Sequence, residues 1–196
     1  MILIHTPASP FARKVRVAAI ELGLELTLER ADPWDGTGVL ATRNPALKVP
    51  VLIDGAFTLT ESTLICQYLD ERAHARSILP DEPQKRWDVL RRAALADGMM
   101  EATVAIVIET LRRPEHLQYR NWIDRQRTKI SNALDHLESD TLDDAHALEL
   151  SGIGLACALS YLTYRLPQLD WRSKHSSLDA WLTALEDRPS LRMTRP

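Results

Sequence analysis

Lys48-Val49-Pro50-Val51-Leu52-Ile53-Asp54-Gly55 sets a proline directly before an apolar, β-branched run. Proline inside a strand loses a ladder hydrogen bond, so it belongs at a strand's first residue or on an edge. Pro50 therefore opens a strand, and Val49-Pro50 is a candidate for a cis bond, which folded proteins keep only where context enforces it. A cis bond there would turn the chain sharply and leave the peptide groups of Val49 unpaired by strand neighbours. A ligand with a peptide backbone of its own could pair with them, as an added strand does. A few residues on, Thr60-Glu61-Ser62 opens an apolar-periodic segment. An acid, a hydroxyl and free helix N–H groups beside that proline suit the ammonium and carboxylate of an amino acid. Taken singly, a strand-opening Pro50 and a helix-capping Thr60 or Ser62 explain each feature. Their close spacing favours the joint reading.

Working outward, Met1 to Thr6 reads as a buried strand ended by Pro7. Ser9-Pro10 then starts a helix, with serine as N-cap and proline at the first helical position. Phe11, Val15, Ala18, Ala19 and Leu22 form its apolar face, with Arg13, Lys14, Arg16 and Glu21 largely off it, and Gly23 ends it. Leu24 to Arg30 reads as a second strand. Residues 31–47, with Pro33, Gly36, Gly38 and Pro45, read as a loop with at most a short helix. Val51 to Asp54 is a third strand, Asp54-Gly55 a hairpin turn, Ala56 to Leu59 a fourth strand, and Ser62 to Arg72 a helix. A right-handed crossover pairs the first two strands in parallel, and the hairpin adds antiparallel strands. The expectation is a small mixed α/β domain over residues 1–76.

Residues 77–83, with Pro80 and Pro83, read as a linker, and residues 84–196 as all-helical. A long helix runs from Gln84 to Leu111, interrupted at Gly98 and stopped by Pro114. Others run from Leu117 to Leu137, from Ser151 to Leu166 and from Ser177 to Glu186. The third is apolar nearly all round, which marks a helix at the centre of its domain.

Composition narrows the function. The chain has 196 residues, 45% of them hydrophobic, and a formal net charge of -3. No basic excess calls for nucleic acid or an anionic membrane. Cys66 and Cys157 sit in apolar segments, outside any C-x-x-C pair, and read as buried thiols of a reducing compartment. The N-terminus lacks the basic start of a signal peptide. The longest apolar run, Ile153 to Leu159, falls short of a membrane span. A cytoplasmic protein is expected. The sequence offers no metal-ligand spacing, no nucleotide-binding glycine loop and no Ser-His-Asp order.

Three stretches carry a resemblance: Ser9-Pro10-Phe11-Ala12-Arg13-Lys14-Val15-Arg16, Asn44-Pro45-x-x-Lys48-Val49-Pro50-Val51-Leu52, and Glu61-Ser62-x-x-Ile65, with a weaker match at Arg188-Pro189-Ser190. In combination they resemble a bacterial glutathione transferase, with a thioredoxin-like N-terminal domain and an all-helical C-terminal domain, of the type with serine after the first strand. The resemblance covers the whole chain. It implies glutathione as co-substrate, with no metal. Ser9 would hydrogen-bond the glutathione sulfur, Val49 before Pro50 would pair with the cysteinyl unit, and Glu61 with Ser62 would hold the γ-glutamyl end. Relatives usually form a two-fold homodimer, which implies the same here. Two positions depart from the family. Leu47 stands where glycine is common, which reshapes the approach to Lys48. The buried helix begins Ser151-Gly152-Ile153-Gly154 and lacks the acid that completes a capping box with Ser151.

The residues fit that chemistry. A free thiol has a pKa of about 8.5, which helix N-termini lower, and Ser9 stands where the first helix opens. Arg13 and Lys48 are further candidates for holding the anionic ligand, and Arg13 for stabilising the thiolate. His5 reads as a packed or hydrogen-bonded strand histidine, and Asp97 and Glu101 as acids in surface ion pairs before they read as contacts to the ligand or a second subunit. The leading expectation is conjugation of glutathione to small electrophiles. The alternatives are a glutathione-binding module without catalysis and a glutathione-dependent peroxidase or reductase. The absence of a cysteine near Ser9 weakens the disulfide version of the last.

Overall fold

A computed structural model describes residues 1–35, 38–140 and 149–195. Gly36, assigned to the loop from sequence, lies outside them. Strand β1 (Ile2–His5) leads into helix α1 (Pro10–Glu21), β2 (Thr27–Arg30), a short α2 (Gly38–Arg43), the hairpin β3 (Val51–Asp54) and β4 (Phe57–Thr60), and α3 (Ser62–Arg72). The four-stranded sheet has the order β2-β1-β3-β4. β1 and β2 are parallel, and the other two pairings are antiparallel. This is the expected thioredoxin-like fold.

Local chemistry explains the element ends. Ser9 is extended (φ -80, ψ 119) and its Oγ accepts from Ala12 N at 3.2 Å, while Pro10 takes the first helical position. At the other end Gly23, at φ +71, lets the Leu24 amide reach Ala19 O at 2.8 Å, closing the last turn. The second strand is shorter than Leu24 to Arg30. The residues after Gly23 carry the chain out of the helix turn, and the ladder is joined only where Thr27 N meets Met1 O at 3.0 Å.

Successive residues of β1 serve opposite faces. Leu3 belongs to the main core with Val15, Leu52, Ile65 and Leu69. Ile4 belongs to a second cluster with Leu40, Val51 and Ile53, covered by α2. The sheet is thus sandwiched between α1 and α3 on one side and α2 on the other.

The rest is helical: α4 (Pro83–Leu111), a 3₁₀ turn (Glu115–Leu117), α5 (Arg120–Glu138), α6 (Leu150–Arg165), a second 3₁₀ turn (Pro167–Leu169), α7 (Trp171–Lys174), α8 (Ser176–Leu185) and α9 (Pro189–Arg192). Gly98 does not interrupt α4. Its helix cost of about 1 kcal/mol is outweighed by the burial of Ala96, Met99 and Met100 around it. The main core is continuous from α1 and α3 into α4 and α6. The segment between α3 and α4 is fastened rather than loose. Asp70 accepts from Ser77 Oγ and from the Ile78 amide, and Ile78 O accepts from Leu150 N at 2.9 Å.

Helix α6 is buried from Leu150 through Leu159, as its apolar composition requires. Ser151 is not its cap. Glu149 holds the cap position (φ -81, ψ 160), Ser151 lies inside the first turn, and its buried Oγ has no partner among the described residues. The C-terminal segment is tied to α1. Glu21 accepts from Arg188 Nε and Nη2 at 2.7 and 2.9 Å and from Ser190 Oγ. The Arg188-Pro189-Ser190 stretch thus has a structural role.

Candidate functional site

The Val49-Pro50 peptide is cis, and β3 begins at Val51. Val49 stands outside the ladder. Neither its amide nor its carbonyl has a hydrogen-bond partner among the described residues. The approach to it is set by Asn44, which is buried. Its Nδ2 donates to Lys48 O at 2.8 Å and its Oδ1 accepts from Ala46 N at 3.0 Å. Leu47 sits at φ +53, the left-handed region in which glycine carries no Cβ penalty. The Lys48 side chain is exposed and no partner holds it toward Val49.

Glu61 and Ser62 lie beside Val49 through the hairpin. The ladder ends at Val51↔Thr60, so Val49-Pro50 enters β3 and Glu61-Ser62 leaves β4 at the same end of the hairpin. Paired strands run about 4.8 Å apart, so the open peptide precedes, and the acid and the hydroxyl follow, one end of the hairpin. Glu61 adopts φ +74 and caps α3, its carboxylate accepting from Thr63 N at 2.9 Å and Leu64 N at 3.0 Å. Ser62 is buried, and its Oγ lies 3.4 Å from Glu61 Oε1. With the Thr63 and Leu64 amides taken by Glu61, the first turn of α3 offers the Ser62 amide and hydroxyl for an anion, beside an exposed carboxylate for a cation.

A buried cation supports that turn. Lys14 is 0% exposed and its Nζ donates to Asp97 Oδ1 at 2.6 Å, Asp97 Oδ2 at 2.8 Å and Thr63 Oγ1 at 3.0 Å. Thr63 Oγ1 also donates to Asp97 Oδ2 at 2.8 Å. Asp97 comes from α4, so the network joins the helices to the residue next to Ser62. Sequence reading placed Lys14 off the apolar face and treated Asp97 as a surface acid. Nothing in the local pattern marks the pair, because α4 supplies the acid and the cover. Glu101, one turn on, is exposed.

Ser9 is half-buried at the mouth of α1, in a narrow cleft it shares with Pro7, Arg13, Cys157 and Tyr161. Its oxygen caps the helix, but its proton is free to be donated. Arg13 borders the cleft without being held toward it. Nε reaches Thr194 Oγ1 at 3.3 Å and Nη2 reaches Leu191 O at 3.2 Å, while the buried Nη1 has no partner among the described residues. Two of its donor atoms thus hold the C-terminal segment.

Burial, then the charges of Arg16 and Arg30, hold His5 below the usual imidazole range, so it is a neutral packed residue at neutral pH. Burial pushes the Cys66 thiol up to about 12 and raises that of Cys157. Both cysteines are free thiols with no thiolate character. Among the described residues no group of three or more His, Cys, Asp or Glu is placed to hold a metal ion. No helix among them is long and apolar enough to cross a membrane.

Residues 3–77 match the family described as glutathione S-transferase, N-terminal domain, and residues 120–184 match glutathione S-transferase, C-terminal domain. The chain is 32% identical over 200 residues to YibF, an uncharacterized GST-like protein of Escherichia coli (strain K12), covering 100% of this chain and 98% of that protein. A crystal structure of a glutathione transferase family member from Pseudomonas fluorescens Pf-5, with bound S-(propanoic acid)-glutathione, has a TM-score of 0.90 at 36% identity, covering 100% and 99% of the two chains. A glutathione S-transferase from Methylobacillus flagellatus KT with glutathione bound has a TM-score of 0.93 at 32% identity, covering 100% and 98%.

Proposed function

The chain belongs to the glutathione S-transferase family, and from that membership we propose that it binds glutathione and conjugates the thiolate to small electrophiles. The observation that carries this reading is the juxtaposition across the β3–β4 hairpin. The unpartnered Val49 peptide and Glu61-Ser62 flank the last pair of the hairpin, Val51↔Thr60. Glutathione matches that order. Its cysteinyl unit pairs with Val49, its ammonium meets the Glu61 carboxylate, and its α-carboxylate takes Ser62 Oγ and the Ser62 amide. The relatives with glutathione or a glutathione conjugate bound support the same ligand.

The sulfur then lies toward Ser9, as in a serine-type member of the family. The Ser9 hydroxyl donates to the sulfur and favours thiolate over thiol, aided by the amide groups at the start of α1. The thiolate attacks the electrophile's carbon. A C–S bond forms, and either the leaving group departs with its electron pair or, on addition to an activated alkene, the resulting carbanion takes a proton from water. Thiol exchange through the protein's own cysteines has no support, since burial holds both thiols protonated. Two buried free thiols suit a reducing cytoplasm.

A two-fold homodimer belongs to this reading. Phe57 on β4, Leu64 on α3 and Trp87 on α4 are 53%, 52% and 68% exposed, a set of large apolar side chains that a second copy would cover. Sedimentation as a single 22.2 kDa chain at micromolar concentration would refute it.

Glu61→Gln and Ser62→Ala test the ligand site. Each removes one charge-assisted partner of glutathione, and calorimetry should show about a tenfold loss of affinity. Two variants that bind glutathione as tightly as the parent would remove the site.

A further inference from the structure

Two neighbours on α1 are buried cations, and only one has a counter-charge. Lys14 is paired with Asp97. Arg13 is 5% exposed, and its Nε and Nη2 go to uncharged oxygens, Thr194 Oγ1 and Leu191 O. Among the described residues no carboxylate pairs with it, and its buried Nη1 has no partner. Charges taken out of water are ordinarily paired, because desolvation is costly. A buried guanidinium held in place with one open donor atom is suited to an anion from outside the protein.

The cleft that Arg13 lines is the cleft of Ser9. Its opposite wall is Tyr161, which comes from α6 and is 6% exposed. Burial holds the Tyr161 phenol above its ordinary pKa, against the charge of Arg165, so it keeps its proton at neutral pH. The rest of the lining is proline, alanine and a protonated cysteine, with no carboxylate. The polar side chains of the cleft are therefore donors: a serine, a guanidinium and a phenol. The free space between them is about 10 Å³, room for about one oxygen atom. Donors fixed around a space of that size stabilise a developing oxyanion.

We propose that Arg13 and Tyr161 form an oxyanion pocket beside Ser9, and that the electrophile it serves is an α,β-unsaturated carbonyl compound. Ser9 keeps the sulfur, and the carbonyl oxygen of the electrophile enters the pocket. The thiolate attacks the β-carbon and the C–S bond forms. The π pair of the alkene moves through the α-carbon to the oxygen, and the resulting enolate takes the Arg13 Nη1 and Tyr161 hydroxyl donors. The α-carbon then takes a proton from water and the carbonyl is restored. The proton lost earlier by the thiol goes to solvent, so no other reactant is needed.

The inference rests on the transferase reading, and its test has a binding arm and a rate arm. Calorimetry compares S-carboxyethylglutathione, the adduct of an α,β-unsaturated acid, with S-propylglutathione, its uncharged counterpart of equal length. The parent should bind the acid about tenfold more tightly, the worth of one charge-assisted hydrogen bond. Arg13→Gln should abolish that preference, and Tyr161→Phe should reduce it about fivefold. The rate arm sets addition to methyl vinyl ketone against substitution on benzyl chloride, in which chloride leaves and no oxyanion forms. The ratio of the two kcat/KM values should fall about a hundredfold in Tyr161→Phe, as when one donor leaves an oxyanion hole. Arg13→Gln also frees Leu191 and Thr194, so Tyr161→Phe, which keeps the ring, decides the matter if that protein does not fold. A parent that binds the two conjugates equally overturns the inference, as does a Tyr161→Phe protein that keeps the parent's ratio in either arm. So does a parent that transforms benzyl chloride but not the ketone. A parent that transforms neither overturns the transferase reading as well.

Discussion

Lys14 and Asp97 meet across the seam between the sheet and the helices, with the lysine Nζ within 2.8 Å of both carboxylate oxygens. The lysine is fully buried and the acid side chain only 15% exposed, so each depends on the other for solvation. Removing one partner of such a pair leaves an uncompensated charge, at a cost of about 3–5 kcal/mol, whereas replacing both with apolar groups is often neutral. Lys14→Met and Asp97→Leu should each lower the urea midpoint by an amount of that order. The double variant should recover most of it. A double variant as unstable as the sum of the two would show that the pair contributes through packing alone.

Ser9 has two roles to separate. Its Oγ accepts from Ala12 N, so Ser9→Ala should destabilise α1 by about 1 kcal/mol as a lost cap. In the proposed chemistry it also loses a donor to the sulfur. Glutathione affinity should then change little, while the pKa of the bound thiol rises and conjugation near neutral pH falls. Thiolate absorbance against pH, with conjugation rates alongside, reads both. A bound thiol pKa and rate equal to the parent's would reduce Ser9 to a helix cap.

Glu21 should make stability depend on acid. Burial tends to raise its pKa, but hydrogen bonds from Arg188 and Ser190 and the charges of Arg188 and Arg76 outweigh that and hold it below the ordinary value. A depressed folded pKa gives stability that is present above the unfolded value, about 4.3, and lost as pH falls through the folded one. Glu21→Gln should cost about 2 kcal/mol at neutral pH. The gap to the parent should narrow as the pH drops below about 4. Melting curves across that range decide it; a constant gap would mean that the glutamine loses shape complementarity rather than charge.

Two helical glycines can be filled. A Cβ at Gly98 would meet nothing within 4 Å, and one at Gly154 would touch Ala96 Cβ at 3.5 Å and Lys14 Cδ at 3.8 Å, ordinary contacts. Alanine at either position should raise stability by about 1 kcal/mol through helix propensity and a less free unfolded chain. Aspartate at 154 should not. It would not complete a cap with Ser151, and it would bury a carboxylate beside a lysine whose donors are already engaged. An unchanged melting midpoint in both alanine variants would count against the propensity argument.

Features decided by local chemistry were legible in the sequence. Ser9-Pro10, Asp54-Gly55 and Val49-Pro50 act through backbone angles and nearest neighbours, and each does what its residue types require. Glycine at position 47 would have matched a left-handed backbone that leucine must adopt, so that departure was legible too. What escaped depends on distant parts of the chain. Arg13 read as a solvated helix residue or a cation for the ligand, because nothing near it in sequence shows that Leu191 and Thr194 take its donors. Lys14 looked solvated because an isolated α1 would leave it so. Ser151 read as a cap through the family pattern, while the helix starts one residue earlier, at Leu150.

The fastening of α1 by the C-terminal segment bears on how the protein is made. Arg13 waits for Thr194 and Glu21 for Arg188, partners that are 181 and 167 positions away. During synthesis the sheet and its first helix emerge early, yet Arg13 and Glu21 stay without these partners until residues 188–194 have been made. Contacts of such separation carry a large loop-closure cost before they return any free energy. The nascent sheet unit should therefore remain a loosely closed intermediate, open to chaperones, and lock only when residues 188–194 arrive.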